Sequence, residues 1–447
     1  MNKNSNRSWL CAALLIVLPA VAALWPSDVF AQAATRAVFV CNNGNLEGSV
    51  SSFAINPDLS LNFVQKLVTG TRPNLTVPCA GCNAYEIALT PNGMYLGMVH
   101  PAGTQDGLSI VRVEANATLT LMKQVTMTAG QDGPMDLIWL DNEYLAVVRV
   151  EPSPDQVAIY RFIPSPAALN LIRTVNVGSS AGYIALHPSR QYLYVNNSAS
   201  PNQVYAFQVG AGGTLTEIDQ ESCGSPWPLE LAVSPDGTKL YAAGGISGGY
   251  HAVSGMTIGS DGRLTLMPGS PFTSPGTSPS NVYVSDDNQY CIVGHGTDAT
   301  VRVMAIDQTT GALTDTGYSF DVGTQGGLGD VRVMRDLLFV TSNMDTPTGV
   351  YSFTIGDGGQ LVQHGPLVST TGISPRSIAT WTPFILGDMD YDGDLDLDDI
   401  PAFVLALTDP AGYAVTYPWS RIQRGDMNSD GAVDGTDIQL FVDALVP

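Results

Sequence analysis

The sequence contains few basic residues. Lysine and arginine together number 19, against 41 aspartate and glutamate residues, and the formal net charge is −22 at pH 7. A surface with this excess of negative charge repels nucleic acid and anionic lipid and attracts cations. We therefore expect no nucleic-acid partner.

Long apolar runs are also scarce. The run at residues 10–24 follows Lys3 and Arg7, and small residues come after it at Ala31 and Ala33. Such a run is too short to span a membrane and is typical of a cleaved signal peptide, here residues 1–33. We predict a mature protein that is secreted or cell-surface, extracellular, and not inserted in the membrane.

Cysteine is rare, and several catalytic motifs are missing. Without the signal peptide and its Cys11, the chain keeps an odd number of cysteines: Cys41, Cys79, Cys82, Cys223 and Cys291. No second C-x-x-C completes a zinc site with "CAGC" (residues 79–82), so we expect a loop disulfide there, while the other pairings stay open. The absence of G-x-S-x-G, H-E-x-x-H and phosphate-loop motifs argues against the common hydrolases.

The negative charge is concentrated at the C-terminus, where residues 387–447 contain 13 aspartates and two arginines. Two segments there place oxygen-bearing residues at the spacing of an EF-hand calcium loop, with Gly393 and Gly431 at the sharp turns. The predicted ligands are Asp388, Asp390, Asp392, Asp394, Asp396 and Asp399 in the first loop, and Asp426, Asn428, Asp430, Ala432, Asp434 and Asp437 in the second. We expect two calcium ions as cofactors.

A helix is predicted after each loop, because apolar residues recur there at the i, i+3, i+4 and i+7 spacing. These residues are Ile400, Phe403, Val404 and Leu407 after the first loop, and Ile438, Phe441, Val442 and Leu445 after the second. Two such apolar stripes can bury each other. Residues 386–447 are therefore predicted to form a small α-helical domain of paired calcium-binding loop–helix units.

The preceding residues, 34–385, contain a repeated pattern of an apolar strand, a turn and a second strand. The copies begin at Glu86, Asp136, Tyr183, Glu230, Asn281, Asp330 and Ser377, with steps of 47 to 51 residues. A period of this length with several strands per unit is the signature of a β-propeller. The last copy stops after one strand, and residues 36–42 supply its second strand. We predict an all-β, seven-bladed β-propeller closed by both chain ends.

The repeat register also predicts a polar pocket on the propeller axis. The residue just before each first strand should lie at one mouth of the central channel, and the residue that ends each second strand should return there. The second set comprises His100, Arg149, Asn197, Gly244, His295, Ser342 and Asn42. Such a pocket can hold a cation, pair an acid with a base, or bind sugar hydroxyls; alternatively, these residues are solvated blade caps. The catalytic candidates are Glu86, His100 and His295, and the ligand-binding candidates are Glu86, Asp136, Arg149, Glu230 and Asp330.

The blade segments "LHPSRQYLYVNN" and "VSPDGTKLYAAG" resemble the lactonase family of seven-bladed propellers, whose members include 6-phosphogluconolactonase. The resemblance implies hydrolysis of a lactone. The family's signature is Pro-Arg-His at the start of one blade's first strand, with a glutamate sixteen residues after the arginine. The best-matching blade has Ala181-Gly182-Tyr183 and Ser198 at these positions, and the last blade has Pro375-Arg376-Ser377. None of the seven blades carries the full signature.

The tail resembles a type I dockerin module, because it duplicates a loop–helix unit with aspartate at loop position 12. The resemblance implies two calcium ions and docking onto a cohesin domain. Residues 397–398 and 435–436, which help to set partner choice in that family, differ from the hydroxyl pairs common in cellulosomal dockerins.

Two functions follow from these expectations. The first is a secreted propeller that binds a ligand or partner, such as a carbohydrate or a lactone, through its axial face. The calcium-binding module would tether it to a cohesin-type or cell-surface protein. The alternative is a lactonase-like hydrolase that acts on a sugar lactone or in polysaccharide catabolism. The sequence leaves enzymatic activity open.

Overall fold

The computed structural model describes residues 36–445, apart from 104, 129–132, 152, 225–226, 246–250, 324–326, 345–347, 392–394, 418–421 and 429. The predicted signal peptide and the predicted ligands Asp392 and Asp394 lie outside these residues. The chain divides into two compact units, one spanning Ala37–Trp381 and one that includes Thr382–Pro447.

The first unit consists of short antiparallel strands. It begins with β1 (Ala37–Asn43), β2 (Glu47–Ile55) and β3 (Leu61–Thr71). Blade 1 follows as β4 (Glu86–Leu89), β5 (Tyr95–His100), β6 (Gly107–Val113) and β7 (Leu119–Thr126). Blade 2 is β8 (Pro134–Trp139), β9 (Tyr144–Arg149), β10 (Gln156–Pro164) and β11 (Ala167–Asn176). Blade 3 is β12 (Ile184–Leu186), β13 (Tyr192–Asn197), β14 (Gln203–Gly210) and β15 (Thr214–Ser222).

The remaining blades repeat this arrangement. Blade 4 is β16 (Pro228–Val233), β17 (Lys239–Gly244), β18 (Ala252–Ile258), β19 (Leu264–Leu266) and β20 (Phe272–Thr273). Blade 5 is β21 (Pro279–Val284), β22 (Tyr290–His295), β23 (Thr300–Ile306) and β24 (Leu313–Asp321). Blade 6 is β25 (Leu328–Met334), β26 (Leu337–Ser342), β27 (Gly349–Ile355), β28 (Leu361–Gln363) and β29 (Val368–Ser369). Blade 7 opens with β30 (Pro375–Trp381) and is completed by β1, β2 and β3.

The predicted closure of the ring is confirmed. Strand β1 pairs antiparallel with β30, so that Phe39 faces Ala379 and Val40 faces Ile378. The innermost strands contact one another in the order β4, β8, β12, β16, β21, β25 and β30, and β30 contacts β4. Both chain ends therefore share one sheet, which leaves no unpaired inner edge at the junction. The prediction of a seven-bladed β-propeller is confirmed.

Apolar side chains fill the space between neighbouring blades. Between blades 1 and 2, Trp139 and Phe162 are buried and pack edge to face, with ring centroids 6.1 Å apart. The indole N–H of Trp139 donates to the carbonyl of Ala88 in blade 1 at 3.1 Å, so this large ring is buried without leaving its donor unsatisfied. Full burial of such a side chain contributes about 1.5–3 kcal/mol. This packing holds the first strands in place around the axis.

The disulfide predicted for the "CAGC" segment is confirmed. Cys79 and Cys82 form a disulfide in the connection between β3 and β4. Cys41, Cys223 and Cys291 are buried free thiols. The disulfide therefore lies in the segment that leads directly into the first strand of blade 1.

The second unit contains α1 (Asp399–Thr408), α2 (Pro410–Thr416) and α3 (Ile438–Leu445). Helices α1 and α3 are the two predicted after the loops, and their apolar faces meet where Phe403 and Phe441 stack with ring centroids 3.9 Å apart. Helix α2 was not expected. It begins at Pro410 and is capped by Asp409, which accepts a hydrogen bond from the Gly412 amide. In the described part of the chain, each helix is too short or too polar to cross a bilayer.

Candidate functional site

Acidic side chains from four blades converge on the propeller axis. Glu86 of blade 1 interacts electrostatically with Asp136 of blade 2 and Asp330 of blade 6, and Glu230 of blade 4 interacts with both Glu86 and Asp330. All four belong to innermost strands and occupy the same place in the repeat. The structure thus brings together the four carboxylates that the register places at one mouth of the channel.

The two aspartates of this group are used within the scaffold. Asp330 accepts hydrogen bonds from the amide of the next residue and from the Ile378 amide of blade 7, both at 2.8 Å. Asp136 accepts from the amide of its next residue at 2.7 Å and from the Ile184 amide of blade 3 at 2.9 Å. The short aspartate side chain folds back onto the backbone and links successive blades. Glutamate is one methylene longer, so Glu86 and Glu230 are better placed to act on a ligand.

Glu86 lies in a cluster with an arginine from the last blade. The Arg376 guanidinium Nε is 3.5 Å from Glu86 Oε1. The same guanidinium stacks over the Tyr85 ring at 3.6 Å from its centroid and donates to the Tyr183 hydroxyl at 3.4 Å. The neighbouring Ser377 hydroxyl hydrogen-bonds to Glu86. Charge pairing and stacking together hold Arg376 in one orientation.

A second arginine, Arg332, pairs with the acidic residues of blades 4 and 6. Arg332 Nη1 lies 3.3 Å from Glu230 Oε1, and Arg332 Nε lies 3.6 Å from Asp330 Oδ2. The Asn281 amide donates to Glu230 Oε2 at 3.0 Å. The Arg332 guanidinium lies over the Tyr283 ring at 5.3 Å. The axial site therefore contains two arginine–glutamate pairs from different blades.

Burial and mutual repulsion perturb the carboxyl groups. Burial raises the pKa of Glu86 from its ordinary value of 4.5, the Arg376 charge lowers it and the Asp136 and Asp330 charges raise it, and the combined result is about 8. Burial likewise raises the pKa of Asp136 to about 6 and raises the pKa of Glu230 well above its usual value. Near neutral pH, Glu86 is therefore mainly a carboxylic acid, and it becomes a carboxylate just above neutrality.

The site remains open to solvent. The side chains of Arg332 and Arg376 keep 26% and 24% of their exposure, whereas Glu86 keeps 12% and Glu230 keeps 9%. The guanidinium groups are thus the more accessible members. Two accessible guanidinium groups beside a carboxyl group that ionises just above neutral pH suit a ligand that carries or develops negative charge on oxygen.

The residues that end the second strands make different contacts from those expected. His100 Nε2 hydrogen-bonds to the Ser109 hydroxyl of β6 at 2.8 Å, and Arg149 Nη2 donates to Gln156 Oε1 of β10 at 2.8 Å. These bonds run outward to the third strand of the same blade. Both side chains are buried, and His100 has its pKa lowered to about 4 by burial.

His295 resembles His100. Its Nε2 hydrogen-bonds to the Ser274 hydroxyl at 2.8 Å, and its Nδ1 hydrogen-bonds to the Thr300 carbonyl at 3.1 Å. Asn42 and Asn197 also bond to third strands, through Ser49 and Tyr205. These contacts assign His100, Arg149, His295, Asn42 and Asn197 to blade structure. Among the described contacts, none links His100 or His295 to an axial carboxylate, so the cluster expected for Glu86, His100 and His295 is not assembled.

Sequence reasoning missed both arginines. Arg332 stands two residues after Asp330 on β25, so the two-residue period of a strand places both side chains on the same face. That signal was available in the sequence. Arg376 stands one residue before the register position of blade 7, and its role depends on Tyr85 and Tyr183, which come from blades 1 and 3. The sequence pattern does not connect these three residues.

The C-terminal loops close in matching ways. Asp399 accepts hydrogen bonds from the Asp390 and Asp396 amides at 3.1 and 2.8 Å, and Asp437 accepts from the Asn428 and Asp434 amides at 3.1 and 2.9 Å. The aspartate at position 12 thus fastens both loops. This shared geometry agrees with the internal duplication of the sequence.

Three carboxylates of the first loop lie close together. Asp388, Asp390 and Asp399 each place an oxygen within 4.8 Å of the other two, and Arg424 Nη1 donates to Asp388 Oδ2 at 2.7 Å. Hard oxygen donors on an irregular loop are the ligands that calcium prefers. The described carboxylates of this loop are thus of the type that calcium binds.

Comparisons with known proteins agree with the propeller. Residues 84–254 match the family model "Lactonase, 7-bladed beta-propeller". The periplasmic gluconolactonase of Pseudomonas aeruginosa superposes with a TM-score of 0.60 at 17% identity, covering 78% of this chain and 99% of that one. A proposed 6-phosphogluconolactonase from Bacteroides uniformis has a TM-score of 0.60 at 12% identity, covering 78% and 100%. A functionally unknown protein from Desulfotomaculum acetoxidans has a TM-score of 0.58 at 18% identity, covering 78% and 99%.

These structural similarities show the fold, because sequence identity is below one fifth in each case. No curated protein matches this chain significantly. Any activity therefore has to be argued from the axial residues themselves.

Proposed function

We propose that the lactonase-family seven-bladed propeller of this chain hydrolyses a sugar lactone at its axial site. The observation that carries this proposal is the position of Arg376 beside Glu86, whose pKa is raised to about 8 by burial. Ester hydrolysis needs a base for the attacking water and a positive group for the oxyanion, and these two side chains supply both. Of the two functions expected from the sequence, the hydrolase is the better supported.

Glu86 and Arg376 have different roles in the proposed reaction. Water attacks the lactone carbonyl while the Glu86 carboxylate accepts a proton from it. The Arg376 guanidinium, held by Tyr85 and Tyr183, stabilises the oxyanion that forms on the carbonyl oxygen. The ring C–O bond then breaks, and the proton passes from Glu86 to the departing ring oxygen. The product is an open-chain hydroxy acid, whose carboxylate can pair with Arg332.

The test is release of acid from lactones by the mature chain. Glu86→Gln should lower kcat by about 10²–10⁴-fold, and Arg376→Gln should lower it by about 10²–10³-fold. The matched controls are Glu143→Gln and Arg161→Gln, which alter an exposed arginine–glutamate pair with a 3.0 Å contact on the outside of blade 2. Both controls should retain wild-type rates. Acid release by the wild type no faster than by Glu86→Gln would contradict the proposal and would leave a propeller that only binds its ligand.

We propose a separate role for residues 386–447, in which the two loops bind calcium and the module docks the secreted propeller to a cohesin-type or cell-surface protein. The approach of Asp388, Asp390 and Asp399 supports the first loop, and the matching bonds of Asp399 and Asp437 support the second. When bound, calcium would be held by the loop oxygens and would neutralise their charge. No role in lactone hydrolysis is assigned to it.

Calorimetric titration of the full chain with calcium tests this second role. The wild type should bind two ions, and Asp388→Asn with Asp426→Asn should abolish both binding events. Asp443→Asn, which alters an acidic residue of α3 outside the loops, is the control and should bind normally. Unchanged titration of the double variant would rule out these ligands. A purified cohesin domain should bind the wild type only with calcium present.

A further inference from the structure

One tryptophan occupies a backbone position that disfavours it. The residue three positions before the axial residue has a left-handed backbone in six blades. These residues are Asn83, Gly133, Ser180, Trp227, Ser278 and Ser374, with φ between 53° and 64°. Glycine, asparagine and small polar residues accept this conformation most readily, and a bulky side chain there is an outlier. Blade 4 alone of these six has a large aromatic residue at the turn.

The surrounding chain holds Trp227 in this conformation. Its amide donates to the Asn202 side chain at 3.0 Å, and its carbonyl accepts from the Gly245 amide at 3.1 Å. The carbonyl of the next residue, Pro228, accepts from the Ser198 hydroxyl at 2.6 Å. The backbone at Trp227 and Pro228 is therefore held by hydrogen bonds. Strain that is maintained by surrounding bonds is a feature of ligand sites.

The indole of Trp227 is only partly buried. Its residue is 48% exposed, whereas Trp139 and Trp381 are buried and donate their indole N–H groups to backbone carbonyls of neighbouring blades. Among the described residues, none accepts a hydrogen bond from the Trp227 indole. A half-exposed aromatic ring with an available N–H therefore remains at the surface.

Trp227 is close along the chain to the axial residue of blade 4. Trp227 immediately precedes β16, and two residues separate it from Glu230, so the two Cα atoms are at most about 10 Å apart. A ligand bound between the two arginines would therefore need an additional chemical group, about the size of one ring, to reach the indole. Tryptophan offers a flat apolar face and one donor with little loss of side-chain freedom, which suits the C–H face and hydroxyls of a sugar ring.

We infer that Trp227 stacks against a second sugar ring, attached glycosidically to the lactone bound at the axis. The substrate class is then the lactone of a disaccharide or longer oligosaccharide. This inference rests on the proposed function and deepens it, because Trp227 determines which sugar lactones are preferred.

The first test compares kcat/KM for a disaccharide aldonolactone and for gluconolactone in the wild type and in Trp227→Ser. Serine occupies this turn in three other blades, so the variant should keep or raise the melting temperature. The preference for the disaccharide lactone over gluconolactone should fall about tenfold, as expected for the loss of a well-placed aromatic contact. Tyr318→Ser, at an exposed aromatic residue of the outer strand β24, is the control and should keep the wild-type preference.

An equal loss for both lactones, or a lowered melting temperature with an unchanged preference, would overturn the inference. A preference for a lactone with an alkyl chain that disappears in Trp227→Ser would also overturn it, because the ring would then recognise an acyl tail. If the wild type hydrolyses neither lactone, the proposed function fails, and calorimetric binding of the disaccharide aldonic acid decides the role of Trp227. Binding that is weakened about tenfold in Trp227→Ser supports the stacking role, and equal binding refutes it.

Discussion

The guanidinium of Arg376 lies 3.5 Å from the carboxylate of Glu86, although the first comes from the last blade and the second from the first. The two side chains meet only because β30 contacts β4 when the ring closes. Arg376 is also the residue that stacks on Tyr85, immediately before Glu86. The candidate catalytic pair is therefore built at the junction of the two chain ends, and its geometry depends on the integrity of that junction.

Closure of the ring predicts a large effect of a core substitution in β1. Phe39 is fully buried and its ring centroid lies 6.1 Å from that of Trp381. Phe39→Ala should lower the free energy of unfolding by about 3–5 kcal/mol, because a cavity replaces the ring. Urea denaturation measures this change, and Tyr318→Ala on the exposed outer strand should stay within about 0.5 kcal/mol of the wild type. Equal midpoints for wild type and Phe39→Ala would mean that β1 is not needed for closure.

The raised pKa of Glu86 predicts the pH dependence of catalysis. A general base acts when deprotonated, so kcat/KM should rise with pH and level off above about pH 8. The spontaneous hydrolysis of the lactone, which also rises with pH, has to be subtracted at each point. A profile that is already level from pH 5 to 9 would exclude Glu86 as the titrating base.

The Glu86 carboxyl group also predicts that the stability difference between the wild type and Glu86→Gln depends on pH. Because its pKa is about 8 in the folded state and about 4.5 when unfolded, Glu86 binds more protons in the folded state between these values. Wild-type stability should therefore fall as pH rises through this range, whereas Glu86→Gln cannot ionise. The stability of Glu86→Gln relative to wild type should increase by on the order of 4 kcal/mol between pH 5 and 9. Thermal unfolding at several pH values checks this, and a constant difference would disprove the burial of the charge.

Buried His100 predicts the opposite pH dependence of stability, namely a loss of stability as the pH falls below neutrality. Burial lowers its pKa to about 4, so the folded state favours neutral imidazole and its stability contribution is lost as pH falls below about 6.5. Between pH 7 and 5, the free energy of unfolding of His100→Asn should fall by about 1–2 kcal/mol less than that of the wild type. Asparagine is the residue at the same position of blades 3 and 7, in Asn197 and Asn42, so the variant should fold. Urea midpoints that fall in parallel would show that His100 is not the titrating group.

Some of the candidate site follows directly from the sequence. The repeat spacing identifies one equivalent residue in the inner strand of each blade, and these include Glu86, Asp136, Glu230 and Asp330, which the structure places together. The period determines this because every blade repeats the same path from the axis outward. The helices after the acidic loops were likewise predictable from the apolar spacing that brings Phe403 against Phe441.

Other features depend on the direction of individual side chains. At the end of a second strand, a side chain can turn toward the axis or toward the third strand, and His100 turns to Ser109. Strand periodicity does not separate these outcomes at a strand end, where the pleat gives way to a loop. The sequence therefore suggested histidines as the partners of the axial carboxylates, whereas in the structure their partners are arginines.

The sequence by itself determined the seven blades, the closure of the ring by both chain ends, and the acidic register, because these depend on local strand patterns repeated at a constant period. Only the tertiary structure decided that Glu86 pairs with Arg376, that Glu230 pairs with Arg332, and that the aspartates between them serve the backbone. The reason is physical. Which charges meet in a ring of blades depends on side-chain length and on contacts between segments that are far apart in the chain, and a local pattern contains neither.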